Sequence, residues 1–266
     1  MTTDAACYRL LAWLSPAYPV GAYSYSHGLE WAIEAGLVRD RADLQSWLAH
    51  VLRHGGGWQD AVLLVHAHRS VTERDDAGWR ALRALARAGG PTAEQAPENR
   101  SQREAFAEAS LAAWPDPAGR LAGLLAAGPG LTYPLAVAAV AAAHHVPVTL
   151  VLPAYLQAFA ANLVSAAVRA VPLGQTDGQR CLAALEPVVA EVAGAARSCP
   201  LDELGTASLT VDLCSIRPEA QFPGLFPPWS APTAPCASAS AARSAPARPC
   251  CARSCARRCA TALAWR

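Results

Sequence analysis

The nine residues Pro172-Leu173-Gly174-Gln175-Thr176-Asp177-Gly178-Gln179-Arg180 separate two long segments rich in Ala, Leu and Val. The first segment closes at Arg169 and the second opens at Cys181. Apolar residues recur at helical spacing in both segments, and no comparable stretch of the chain alternates as a strand does. The pattern therefore predicts two buried helices joined by a polar loop, in an all-α fold.

Helical spacing recurs from the N-terminus to about residue 207. Asp40 is expected to cap the run that begins at Arg41, Asp177 the run that begins at Gly178, and Gly55-Gly56-Gly57 to end the run before it. We predict a single-domain bundle of roughly ten helices within residues 1–226. The predicted helical runs are 8–14, 29–37, 42–53, 61–71, 79–88, 98–114, 121–126, 134–144, 154–171, 178–197 and 200–207.

The charged-residue content of the chain excludes several classes of function. Charged residues make up 16% of the 266 residues, against about 25% in typical soluble domains, which favours a surface covered by another chain. Residues 1–226 hold 16 Arg and all 21 acids, so this part is mildly acidic and nucleic acid is not an expected partner. The absence of Lys excludes a phosphate-binding Gly-Lys-Ser/Thr loop and a Schiff-base lysine.

One stretch raises the question of a membrane. No Asp, Glu, Lys or Arg occurs between Arg120 and Arg169, and residues 146–168 are long enough to span a bilayer. Two prolines, Gln157 and Asn162 interrupt that stretch, which favours a helix buried in a bundle, although an integral membrane carrier stays an alternative. Asp4 stands where a signal peptide would be basic, so we expect a cytoplasmic protein.

Three sequence blocks together resemble one known family. Residues 15–30 read Ser-Pro-Ala-Tyr-Pro-Val-Gly-Ala-Tyr-Ser-Tyr-Ser-His-Gly-Leu-Glu, a shaped turn rather than a spacer. With residues 172–179 and 154–166, this block resembles the urease accessory protein F (UreF) family over roughly residues 8–226. The resemblance implies an all-α fold and a urease maturation factor that is not an enzyme and holds no cofactor of its own.

The resemblance also implies partners. Such a protein forms a homodimer and joins a second accessory protein (UreD/UreH-like) and a nickel-carrying GTPase (UreG-like) on apo-urease, where it supports nickel insertion and couples it to GTP hydrolysis. Residues 19–30 and 172–180 would face the GTPase, and residues 215–226 would dock on the second accessory protein. The expected partner-binding residues are Ser24, Ser26, His27, Glu30, Gln175, Asp177, Gln179, Arg180, Arg217, Glu219 and Phe222.

The chain departs from the family pattern in its predicted docking segment. Ser215-Ile216-Arg217 fits, but the usual His-Glu-Thr-Gln-Tyr continuation is here Pro218-Glu219-Ala220-Gln221-Phe222. Pro218 lacks an amide donor and disfavours a helical turn at Arg217, so weakened docking is expected. Ala22 replaces a usual Gly, and positive φ there would strain it.

The histidines and serines raise two further possibilities, a metal site and a catalytic triad. His50 and His54 lie one helical turn apart and can share a metal ion, although no Glu of the zinc-protease motif accompanies them. His66 and His68 point to different helix faces, so we predict no metal site, and a free-standing nickel-storage protein is the metal-binding alternative. Ser24, Ser26, His27 and Glu30 are sequence neighbours without a Gly-x-Ser-x-Gly elbow, which disfavours a catalytic triad.

The tail, residues 227–266, is composed almost entirely of Ala, Pro, Arg, Cys and Ser and has no periodicity that could bury a core. We predict that it is disordered and non-native. Ordinary GC-rich codons for the GTPase segment Leu-Arg-Val-Gly-Ile-Gly-Gly-Pro-Val-Gly-Ser-Gly-Lys-Thr, read one nucleotide out of frame, give residues 236–249 of this chain. The tail is therefore interpreted as an out-of-frame reading of an adjacent GTPase gene, with a natural disordered extension as the alternative. Its cysteines are not expected to form a functional metal site.

Overall fold

The computed structural model describes residues 2–20, 28–88, 96–116, 118–126, 128, 130–171 and 173–205, with the backbone alone for 96–101. Within these residues the chain forms ten α-helices and no strand, which confirms the predicted all-α class. The helices are α1 (Thr3–Trp13), α2 (Leu29–Glu34), α3 (Arg41–His54), α4 (Gly56–Glu73), α5 (Asp76–Ala88), α6 (Ala96–Ala113), α7 (Leu121–Leu124), α8 (Tyr133–Ala143), α9 (Val148–Ala170) and α10 (Gln175–Ser198), followed by a 3-10 turn at Leu201–Glu203.

Helix α8 is central to the bundle. Every residue from Pro134 to Ala142 is buried, so the helix is apolar all round and needs no charged face. It packs most extensively against α4 and also contacts α6, α7 and α9. Six of its eleven residues are alanine, and small side chains allow neighbouring helices to approach closely. This environment explains why the chain carries no formal charge here.

Helix α9 has the length and apolarity of a membrane span by composition alone, and half of its most apolar window is buried inside the bundle. A core helix of a soluble protein has the same two properties. Contacts with α10, α4, α3, α2 and α1 surround α9, and its last turn carries Arg169. These contacts agree with the predicted buried helix.

The predicted cap at the start of α3 is confirmed. The Asp40 carboxylate accepts hydrogen bonds from the backbone N–H groups of Ala42 at 2.8 Å and Asp43 at 2.9 Å. These bonds satisfy two of the four free amides of the first turn. Gly55 ends α3 as expected, but α4 starts at once with Gly56 rather than at residue 61.

The predicted polar loop and the Asp177 cap were wrong. Helix α10 begins at Gln175, with Gly174 as an N-cap that supplies no side-chain bond. The Asp177 carboxylate instead lies inside the first turn, where its negative charge interacts favourably with the positive N-terminal end of the helix dipole. It also accepts a hydrogen bond from Arg180 Nη1 at 3.0 Å. Gly178 fits inside the helix because it is buried against Val164 and Val168 of α9.

Helix α9 also extends further than its apolar run predicted, since it starts at Val148 rather than at residue 154. Pro153 lies inside it, near the N-terminus. Proline removes one amide donor there, so the helix loses the bond to the Thr149 carbonyl and continues on tertiary packing.

Gly57, in the first turn of α4, lies directly against the last turns of α3. A Cβ added at this glycine would lie 2.9 Å from Leu52 Cα, a backbone atom that cannot move aside alone. We expect Gly57→Ala to destabilise the fold by about 1–2 kcal/mol, because crowding outweighs the better helix propensity of alanine. Chemical denaturation measures the difference. Gly194→Ala, in α10 with open space around the new methyl group, is the matched control and is expected to stabilise by up to about 1 kcal/mol; equal effects would contradict this account.

Candidate partner-binding surface

The first two turns of α10 present a polar face to solvent. Gln175, Thr176, Gln179 and Arg180 are exposed, whereas Gly178 is buried. Residues four apart lie on the same side of a helix, so Gln175 stands beside Gln179 and Thr176 beside Arg180. Three of the side chains predicted to contact a partner, those of Gln175, Gln179 and Arg180, therefore share one helical surface with Thr176, whereas Asp177 is only partly exposed. We call this surface the α10 face (Gln175, Thr176, Gln179 and Arg180).

The α10 face is little engaged by the rest of the described chain. Arg180 pairs with Asp177 within the helix, with 65% of the arginine side chain exposed. Neither Gln175 nor Gln179 forms a hydrogen bond with a described residue. Exposed amide and guanidinium groups of this kind are free to bind a partner.

Glu30 is the other predicted contact that the structure describes. It lies in the first turn of α2 and is partly buried. Burial, followed by the nearby Glu34 carboxylate, raises the pKa of Glu30 above its ordinary value. Among the described residues no hydrogen bond or ion pair joins Glu30 to the α10 face. Ser24, Ser26, His27, Arg217, Glu219 and Phe222 lie outside the described residues.

Sequence reasoning missed two exposed apolar residues on α1. Tyr8 is 70% exposed and Leu11 is 75% exposed, whereas Ala6, Leu10 and Trp13 face the core. The spacing of the buried residues places Tyr8 and Leu11 on the outer side of the helix, and that was the available signal. They support the expectation of a surface covered by another chain.

A hydrogen-bonded pair of acidic groups between α4 and α9 was missed as well. The Tyr155 hydroxyl of α9 donates to Asp60 Oδ2 of α4 at 2.6 Å. Burial raises the pKa of Asp60 to about 7, although the tyrosine bond opposes this shift. The Tyr133 ring stacks at a tilt, 5.8 Å from the ring of Tyr155, and burial raises the pKa of both tyrosines well above the ordinary value.

Three histidines serve as structural donors. Their Nε2 atoms lie within 2.9 Å of main-chain carbonyl oxygens: His66 at Cys199, His68 at Val146 and His144 at Trp114. A carbonyl oxygen only accepts, so each Nε2 carries the hydrogen. Within the described part of the chain no group of three or more His, Cys, Asp or Glu residues is arranged to hold a metal ion.

Comparison of the sequence with known proteins identifies its family. The sequence model of the UreF family matches residues 38–186. The urease accessory protein UreF of Rhodopseudomonas palustris strain BisA53 is 50% identical over 223 residues, which cover 84% of this chain and 93% of the relative. The UreF proteins of strain BisB18 and of Methylobacterium sp. strain 4-46 are 51% and 48% identical, over 84% and 82% of this chain and 92% and 86% of the relatives. The chain therefore belongs to the UreF family of urease accessory proteins.

Proposed function

We propose that this chain is a urease maturation factor that acts by binding other proteins. It joins a UreD/UreH-like accessory protein and a UreG-like GTPase on apo-urease, as a homodimer in the cytoplasm. It catalyses no reaction and holds no cofactor, and nickel is the cargo of the assembled complex. Family membership supports the link to urease maturation.

The observation that carries the adaptor role is the α10 face. Its glutamine side chains and Arg180 point outward from a rigid helix whose opposite side is anchored in the core by Cys181 and Leu185. A helix fixed in this way presents polar groups with little loss of conformational freedom on binding. We assign this face, with Glu30 and residues 19–27, to the GTPase contact.

The segment 215–226 is assigned to the second accessory protein on sequence alone. Arg217, Glu219 and Phe222 supply a charge pair and an aromatic anchor, the residue types that dominate binding energy at interfaces. The α1 residues Tyr8 and Leu11, exposed and apolar, offer a further contact for a second copy or a partner.

Substitution on the α10 face tests the GTPase contact. We expect the double change Gln179→Ala with Arg180→Glu to weaken GTPase binding at least about tenfold, because a charge reversal places like charges against a complementary surface. Binding of the full chain to the GTPase, measured by interferometry, provides the number. Arg197→Glu, exposed at the far end of α10, is the matched charge reversal and is expected to bind normally. Equal loss in both variants would show non-specific electrostatics, and no loss in either would remove this face from the contact.

A further inference from the structure

His50 and His54 differ from the three structural histidines. Both are exposed in the last turns of α3, one helical turn apart. Their ring centroids are 5.1 Å apart, with 54° between the ring planes. Neither ring forms a hydrogen bond with a described residue, so the nitrogen lone pairs are not engaged by the fold.

The ring separation fits a shared metal ion. A metal–nitrogen bond of about 2.1 Å places an ion about 3.2 Å from each ring centroid when a ring nitrogen faces it. Two centroids 5.1 Å apart then subtend an angle of about 105° at the ion, between octahedral and tetrahedral geometry. Residues four apart stay neighbours on a helix, so rotation of the two exposed side chains is enough for a nitrogen of each ring to face one ion.

A salt bridge beside the histidine pair leaves the two rings without a carboxylate ligand from this chain. Arg53, next to His54, forms a bidentate salt bridge with Glu191 of α10. Arg53 Nη2 lies 2.6 Å from Glu191 Oε2, and Arg53 Nε lies 3.1 Å from Glu191 Oε1. The hydrogen bond from Arg53 lowers the pKa of Glu191 below its ordinary value. The Glu191 carboxylate is therefore occupied by the arginine, and within the described residues no third ligand completes the pair.

We propose that His50 and His54 form a surface site for a divalent transition-metal ion that favours imidazole, nickel(II) being the relevant one. Two imidazole nitrogens hold the ion, and water or a ligand from another protein fills the remaining positions. Imidazole suits Ni, Zn and Cu. Because the coordination shell is half open, the ion is held weakly enough to be passed on, unlike an ion in a closed structural site. The proposal that the pair binds a metal ion is based on the positions of the two rings. The proposal that the ion is nickel passed on to another protein rests on the proposed function.

Nickel(II) titration of the full chain tests the site. We expect calorimetry to detect binding that His50→Ala or His54→Ala weakens at least about tenfold, since chelation makes the second contact intramolecular. The double variant should lose little more than either single variant, because one ring alone cannot chelate. Alanine is the best helix former, so α3 should stay folded in all three. The tail cysteines contribute the same background to every variant.

Two further readouts make the test specific. Paramagnetic nickel(II) should broaden the backbone amide signals of the last turns of α3 in the parent chain and not in the variants. His145→Asn removes another exposed histidine, at a positive φ of 56° that asparagine tolerates, and should leave binding unchanged. Additive losses, equal affinity in all variants, or broadening elsewhere would overturn the proposal.

The same variants separate this inference from the adaptor role. Co-elution with the GTPase and the second accessory protein in chelator-treated buffer does not require the histidine pair. A chain that co-elutes but binds no nickel at His50 and His54 overturns only the metal site. A chain that binds nickel there but fails to co-elute contradicts only the proposed function.

Discussion

Phe106→Ala is expected to destabilise the bundle by about 3–5 kcal/mol, the range for removing a fully buried aromatic side chain. Phe106 has no exposed surface, and its ring lies 5.3 Å from the ring of Tyr18 and 5.4 Å, edge to face, from that of Tyr133. Truncation removes both aromatic contacts and leaves a cavity between α6 and α8. Since domains are stable by only about 5–15 kcal/mol, the loss should be visible directly in urea denaturation followed by helical circular dichroism.

Leu111 of α6 is the matched control for this substitution. It lies on the same helix but is 38% exposed, so Leu111→Ala is expected to cost about 1 kcal/mol or less. Similar losses at residues 106 and 111 would mean that α6 is not packed against α8 as described.

Asp60→Asn is expected to lose less of its free energy of unfolding than the parent chain does as the pH rises from 5 to 8. Because burial raises the pKa of Asp60 to about 7 from a model-peptide value of 3.8, the folded state keeps a proton that the unfolded state has lost. The stabilisation from that proton is complete below about pH 4 and is lost as the pH rises through about 7. Between pH 5 and pH 8 the parent chain should lose about 3 kcal/mol through this group.

Asparagine is neutral throughout this range and still offers a carbonyl oxygen to the Tyr155 hydroxyl. The free energy of unfolding, measured at pH 5, 6, 7 and 8, should therefore fall less steeply in Asp60→Asn than in the parent. Asp40→Asn is the control, because asparagine caps a helix as well as aspartate. Hydrogen bonds from the Asp43 and Ala42 amides lower the pKa of Asp40, so its contribution is lost only at acid pH, outside this range. Parallel pH profiles for the parent and Asp60→Asn would contradict the buried, partly protonated acid.

Much of the bundle follows from local rules in the sequence. The apolar residues 146–168 indicated a helix buried in the bundle, which is α9, and Asp40 indicated the start of α3. The errors lie where polar or special residues occur inside a helix. Gln175, Thr176 and Asp177 have the composition of a loop, but Gly178 can pack against α9 and so the helix begins before it. That contact depends on residues about ten to fourteen positions earlier, which propensity does not include.

The candidate partner-binding surface stays a prediction, and only some of its geometry could be read from the sequence. The polar residues 175–180 were identified from their position between two apolar segments, but their arrangement on one helical face depends on where α10 begins. The Asp60 and Tyr155 pair joins residues 95 positions apart, and no local pattern marks either one. The histidine bonds to main-chain carbonyls are equally non-local, whereas the spacing of His50 and His54 was readable because both lie on one helix.

Co-purification tests the adaptor role most directly. The full chain and residues 1–226 would each be combined with the GTPase and the second accessory protein, and the stoichiometry read by size exclusion. We predict that both form one co-eluting complex containing the three proteins, since the α10 face lies within residues 1–226 and we expect the tail to take no part in binding. If both versions fold but elute apart from the two partners, this chain is not the adaptor proposed here.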